Sequence, residues 1–109
     1  MKIVNLTPHA INLIIGDQQL TVEPSGQVAR VSVHIEKIGE IDGEIEGIPI
    51  TTSVFGEVEG LPEAKANVVY LVSSLVAQRV KERNDVFIPN ESVRDSEGRI
   101  IGCKSLGRI

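Results

Sequence analysis

Apolar and polar residues alternate along much of this chain with a period of two, the signature of half-buried β-strands. The clearest case is VSVHIE, where Val31, Val33 and Ile35 alternate with Ser32, His34 and Glu36. KIVNL (2–6) reads as a first strand, stopped by Pro8, which has no donor for a ladder bond. AINLII (10–15) and QLTVEP (19–24) read as second and third strands around a GDQQ turn. A longer extended run covers residues 27–41, with Val28 out of phase and a bulge expected near residues 28–30. Asp42-Gly43 is a hairpin signal. GIPITTSVF then reads as a strand on which Pro49 marks an edge or a bulge, and FGEVEGLP as a strand end and loop.

The last third is organised differently. NVVYLVS (67–73) is apolar almost throughout and predicts the most buried strand. A helix is predicted over residues 74–83, with Ser73 or Ser74 as N-cap. DVFIP (85–89) reads as a short strand ended by Pro89, and VRDSEGRIIGCKSL (93–106) as a hairpin turning at residues 95–98. The expected fold is α+β and mainly β. It consists of antiparallel sheets and hairpins with one short helix, in a single domain spanning residues 1–109.

Composition adds two constraints. Only 3% of residues are aromatic (Phe55, Tyr70 and Phe87), so the core must be built from Val, Ile and Leu, which favours β-structure. That scarcity also argues against a base-stacking platform for single-stranded nucleic acid. Cys103 is the only cysteine, so no internal disulfide forms, and the position reads as a small, half-buried strand residue. No apolar run approaches the length of a membrane span, and MKIVNLTPH lacks the apolar stretch of a signal peptide. A cytoplasmic location is expected.

Charge is unevenly spread. Residues 1–66 carry 4 basic and 10 acidic side chains, whereas residues 67–109 carry 7 basic and 5 acidic ones. The net charge of −4 has the wrong sign for a DNA footprint. Arg79, Arg83, Arg94, Arg99 and Arg108 all lie in the second part, and arginine presents a planar fork of donors suited to phosphates and carboxylates. On the predicted helix, Val72, Leu75, Val76 and Val80 define an apolar stripe, and Arg79 and Arg83 fall inside it. Either these two reach outward at the helix end, or they project into an interface or ligand site. Arg94 and Arg99 bracket a turn, where they form an ion pair or meet a phosphate. Arg30 breaks a Val-Ala-Val run, either across an interface or on the wet face of a strand.

Catalytic signatures are absent. His9 and His34 have no partner at metal-ligand spacing, and Ser73-Ser74 lacks a nucleophile elbow. There is no Walker loop and no Gly-x-Gly-x-x-Gly. The acidic run Glu40, Asp42, Glu44 and Glu46 does not have the spacing of a calcium loop. No metal and no cofactor are expected.

The strings NLTPHAINL, FGEVEGLP, YLVSSLVAQRVKERNDVFIP and VRDSEGRIIGC resemble a family of small phage proteins, the Thoeris anti-defence proteins of the first type. The resemblance covers residues 5–106. It implies a non-catalytic function: sequestering a cyclic ADP-ribose isomer made by bacterial TIR-domain enzymes, in the cytoplasm of the infected host, so that the defence effector is not activated. It also implies a homo-oligomer with ligand held between subunits, and in some members a separate site for small cyclic oligonucleotides. Mapped onto the matching string, ligand contacts fall to Arg83, Asn84, Asp85, Arg94 and Arg99. Arg30 is a contribution from a neighbouring subunit, Phe55 or Phe87 an adenine stacker, and Arg79 with Arg83 would fit a subunit contact. The alternative is a small protein-binding or virion-associated module with no small-molecule ligand, using its β-edge and acidic half.

Overall fold

A computed structural model describes residues 1–109. Eight strands and one helix follow in the order β1 (Lys2–Asn5), β2 (Ile11–Ile15), β3 (Gln18–Val22), β4 (Arg30–Ile41), β5 (Ile48–Glu59), β6 (Val68–Leu71), α1 (Ser74–Arg79), β7 (Val86–Arg94) and β8 (Ile100–Gly107). The fold is mainly β with one short helix and antiparallel hairpins, as the alternation predicts. Six strands form one sheet in the order β1-β6-β7-β8-β2-β3, and β4 and β5 form a separate two-stranded hairpin. Within the larger sheet, β1, β6 and β7 are mutually parallel, and β2 meets β8 in parallel at Leu13 and Cys103. Parallel pairing of β6 and β7 requires a crossover, which α1 supplies.

β6 lies between β1 and β7 and is buried on both faces. Tyr70 and Val72 face one core cluster with Leu6, Ala29, Val76, Ala77 and Val86. Leu71 faces the other, with Leu13, Val22 and Cys103. This two-sided burial is why NVVYLVS is continuously apolar. Cys103 is a small strand residue, as its context predicts, but it is fully buried and not half-buried.

The outer strands of the sheet meet at Asn5. Asn5 forms a parallel bridge with Pro24, just beyond β3, and its carbonyl accepts from the Ser25 N–H at 2.9 Å. Its side chain is 1% exposed. Nδ2 donates to the carbonyls of Val22 (3.0 Å) and His9 (2.8 Å), while Oδ1 accepts from the Thr7 N–H (2.9 Å) and hydroxyl (2.7 Å). One amide therefore ties the end of β1 to the end of β3 and fixes the NLTPH turn.

Four local expectations are corrected. The helix ends at Arg79, not at residue 83, because the Val80 N–H bonds the Ala77 carbonyl and the Arg83 N–H the Val80 carbonyl, making a turn. β7 runs through Pro89 to Arg94. The Phe87 carbonyl accepts from the Val72 N–H, one residue past β6, so by alternation the missing Pro89 N–H points to the same side, beyond the end of that strand. FGEVE continues β5 to Glu59 instead of forming a loop. The bulges lie between Val31 and Val33 and between Lys37 and Gly39, not at residues 28–30. Asp42-Gly43 does mark the β4–β5 hairpin, whose turn over residues 42–47 is closed by the Gly47 N–H donating to Asp42 Oδ1 at 2.9 Å.

The β4–β5 hairpin projects as an arm. The molecule measures 55 × 40 × 23 Å. At its root, Val31 and Val58 pack on the first core cluster. Gly60 lets the chain leave β5 there: its φ is +82°, and a Cβ would sit 2.5 Å from the Val28 carbonyl oxygen.

Candidate ligand-binding cleft

Three backbone segments are laced together at the carboxyl ends of β1 and β6. The Leu6 N–H donates to the Leu71 carbonyl at 2.8 Å, and the Ala29 N–H donates to the Leu6 carbonyl at 3.0 Å. This places Thr7-Pro8, Arg30 and Ser73 around one cleft of about 260 Å³, floored by Leu6, Ala29 and Val76. The carboxyl ends of parallel strands, where loops diverge, are a recurrent place for ligand sites in open sheets.

The cleft's polar groups are partly engaged. Ser73 caps α1, its hydroxyl oxygen accepting from the Val76 N–H at 3.4 Å, and its proton is free to donate. The Thr7 hydroxyl is held by Asn5. Arg30 lies opposite Glu59 in the strand register but makes no ion pair and no side-chain hydrogen bond. A guanidinium with all its donors unspent, beside a hydroxyl donor, can bind a phosphate or carboxylate. No carboxylate or imidazole lines the cleft. No group of three His, Cys, Asp or Glu residues converges anywhere as a metal site, and no helix is long and apolar enough to cross a membrane.

Of the nine residues singled out from the sequence, Arg30 alone lines this cleft. Arg83 is bound to Asp85 by Nε–Oδ1 and Nη2–Oδ2 contacts of 2.8 Å each, and it also donates to the Pro62 carbonyl at 3.0 Å. That bidentate bond holds the Asp85 carboxyl below its ordinary range and raises the Arg83 guanidinium above its own, although partial burial opposes both shifts. Arg94 donates to the Gly98 carbonyl at 2.7 Å. Arg99 pairs with Asp95 (3.2 Å) and Glu97 (2.6 Å). Asp95 Oδ1 accepts from the N–H groups of Glu97 and Arg99 at 2.9 and 3.0 Å, and the Arg99 N–H bond leads the causes that lower its pKa. These arginines are therefore engaged in their own loops.

The remaining four are dispersed. Arg79 ends α1 exposed, so it reaches outward from the apolar side, and Arg83 lies beyond the helix altogether. Asn84 is exposed, Phe87 packs at the margin of the second core cluster, and Phe55 stands on the arm opposite Val33. Sequence reasoning did not single out Thr7 as a site residue and read Ser73 only as a cap. Their usable signals are the Asn-x-Thr turn and the N-cap itself.

A second groove, of about 230 Å³, crosses β2, β7 and β8 between Ile11, Pro89, Ile100 and Ile101. Gly102 floors it because a Cβ there would meet the Asn12 carbonyl oxygen at 2.7 Å. Its lining carries no charged group, so it is the poorer match for an anion. No protein-family model, no curated protein and no solved structure matches this chain.

Proposed function

We propose that this chain is a non-catalytic anti-defence protein that captures a small phosphate-bearing nucleotide, a cyclic ADP-ribose isomer, and so withholds a signal from its receptor. The observation that carries this reading is the unpartnered Arg30 guanidinium at the rim of a cleft whose other polar groups are hydroxyls. Arginine and hydroxyl donors match a pyrophosphate. Capture without bond cleavage needs no general base, and none lines the cleft. Ligand sites usually span about 300–1,000 Å³. The cleft falls below that range, consistent with a nucleotide that is only partly covered by one copy of the chain.

Calorimetric titration with cyclic ADP-ribose isomers, followed by heat release and chromatography of the ligand, tests the reading. Binding with intact recovery is expected. Recovery of an altered product contradicts the non-catalytic part, and no heat with any isomer contradicts the ligand assignment. The second reading, a protein-binding module with no small-molecule ligand, is favoured by the apolar side chains exposed along the β4–β5 arm.

A further inference from the structure

The one cation at the rim of the cleft has a carboxylate for a neighbour. Arg30 opens β4 and stands directly opposite Glu59, the last residue of β5. Opposite residues of an antiparallel pair share a face, with Cβ atoms about 4.5–5.5 Å apart. A second carboxylate follows. Val31 pairs with Val58 and Val33 with Phe55, so Gly56 and Glu57 together oppose Ser32. Gly56 leaves its space to the Ser32 hydroxyl, because a Cβ there would collide with Oγ. By alternation Glu57 lies on the same side of the ribbon as Glu59. Both are exposed, and neither forms an ion pair.

The backbone beside both members of the Arg30–Glu59 pair is pinned. Next to Arg30, the Ala29 N–H is bonded to the Leu6 carbonyl at 3.0 Å. Next to Glu59, the Gly60 carbonyl accepts from Gln27 Nε2 at 2.7 Å, and the positive φ of Gly60 seats it against the Val28 carbonyl. Glu59 is thus a fixed feature of the rim, although it does not line the cleft itself.

Given nucleotide capture in this cleft, we infer that Glu59 is a specificity-determining residue: it restricts the Arg30 site to phosphates esterified on both sides and turns away phosphate monoesters. The two classes differ in charge. A doubly esterified phosphate carries one negative charge, whereas a monoester carries about −1.5 to −2 at pH 7. The guanidinium fork bonds two oxygens and balances one charge. Arg30 is the only charged residue lining the cleft, so no second cation meets the surplus of a monoester. Glu59 meets it instead. At about 6 Å, one pair of like charges shifts an equilibrium by roughly 3- to 100-fold, from water-like to protein-surface screening. A site made for monoesters needs surplus cations at its rim, and this rim has surplus carboxylates.

Titration of the full chain at low salt with ADP and with its β-methyl ester tests this, since the two differ by one methyl group and one charge. The ester is expected to bind the wild type roughly tenfold more tightly than ADP. Glu59→Gln is expected to narrow that gap about threefold or more, and Glu59→Asp, which keeps the charge, to preserve it. Glu44→Gln, in the turn at the far end of the hairpin, is expected to leave the gap as it is, which separates local from whole-chain charge. Added salt is expected to narrow it in the wild type. A gap of the same size in Glu59→Gln and wild type overturns the inference, as does a wild type that prefers ADP or binds neither compound. Cyclic ADP-ribose titrated alongside keeps the two claims apart: its failure to bind, with the Glu59-dependent preference intact, contradicts the cyclic ligand and leaves the role of Glu59 standing.

Discussion

Arg83 and Asp85 face each other through two parallel hydrogen bonds of 2.8 Å, and a third from the same guanidinium reaches the Pro62 carbonyl. The arginine thus joins the segment before β6 to the start of β7. Their side chains are 23% and 13% exposed, so the pair is shielded without being fully desolvated. Arg83→Ala is expected to lower stability by about 1–3 kcal/mol, because it leaves a half-buried carboxylate and a carbonyl unpartnered. Denaturant unfolding measures it. Nucleotide affinity is expected to stay unchanged, since the pair lies outside the cleft.

The same pair predicts an acid limb of stability. The Asp85 pKa is lowered in the folded chain, chiefly by the hydrogen bond from Arg83, so the unfolded state takes up protons first as pH falls. The stabilisation is complete above the ordinary carboxylate range and is lost as pH drops through the lowered folded value. Thermal melts from pH 7 downward are expected to show a loss below about pH 4 that is smaller in Asp85→Asn than in the wild type. Equal acid sensitivity in the two proteins would assign the limb to other carboxylates. Asp95, also lowered, is the first of these to examine.

Asn5→Ala is expected to be the costlier change. It strips a partner from the Val22 carbonyl and from the Thr7 N–H around a residue that is 1% exposed, while the His9 carbonyl keeps the Thr7 hydroxyl. A loss of roughly 3 kcal/mol follows from the cost of leaving buried polar groups unsatisfied. Because Asn5 joins the ends of β1 and β3, amide exchange should accelerate first at Ser25 and Leu6, before the β7–β8 hairpin opens.

Much of this fold is legible in the sequence because it is local. Ser73 caps α1, Asp95 organises the turn that leads to Arg99, and the unbroken apolar run of β6 marks the strand buried on both faces. What escapes is set by partners distant in sequence. Pro89 does not end β7, because the strand it would have bonded has already stopped. Arg79 and Arg83 share a stripe only if the helix continues past Val80, which a local turn prevents. The arginine-rich segment has the composition of an anion site, but a single sequence cannot reveal that Asp85, Asp95 and Glu97 already occupy the Arg83 and Arg99 guanidinium groups. Nor does any spacing show that β1 and β6 end side by side, which is what brings Thr7 and Ser73 to Arg30.

The most direct test of the ligand assignment is a side-by-side titration of wild type, Arg30→Ala and Arg94→Ala with a cyclic ADP-ribose isomer, alongside melting curves. Removing a charge-assisted bond worth about 1.5–3 kcal/mol predicts that Arg30→Ala binds roughly 10- to 150-fold more weakly at an unchanged melting temperature, while Arg94→Ala binds like the wild type. Wild-type affinity in Arg30→Ala would contradict the placement of the phosphate in the β1–β6 cleft.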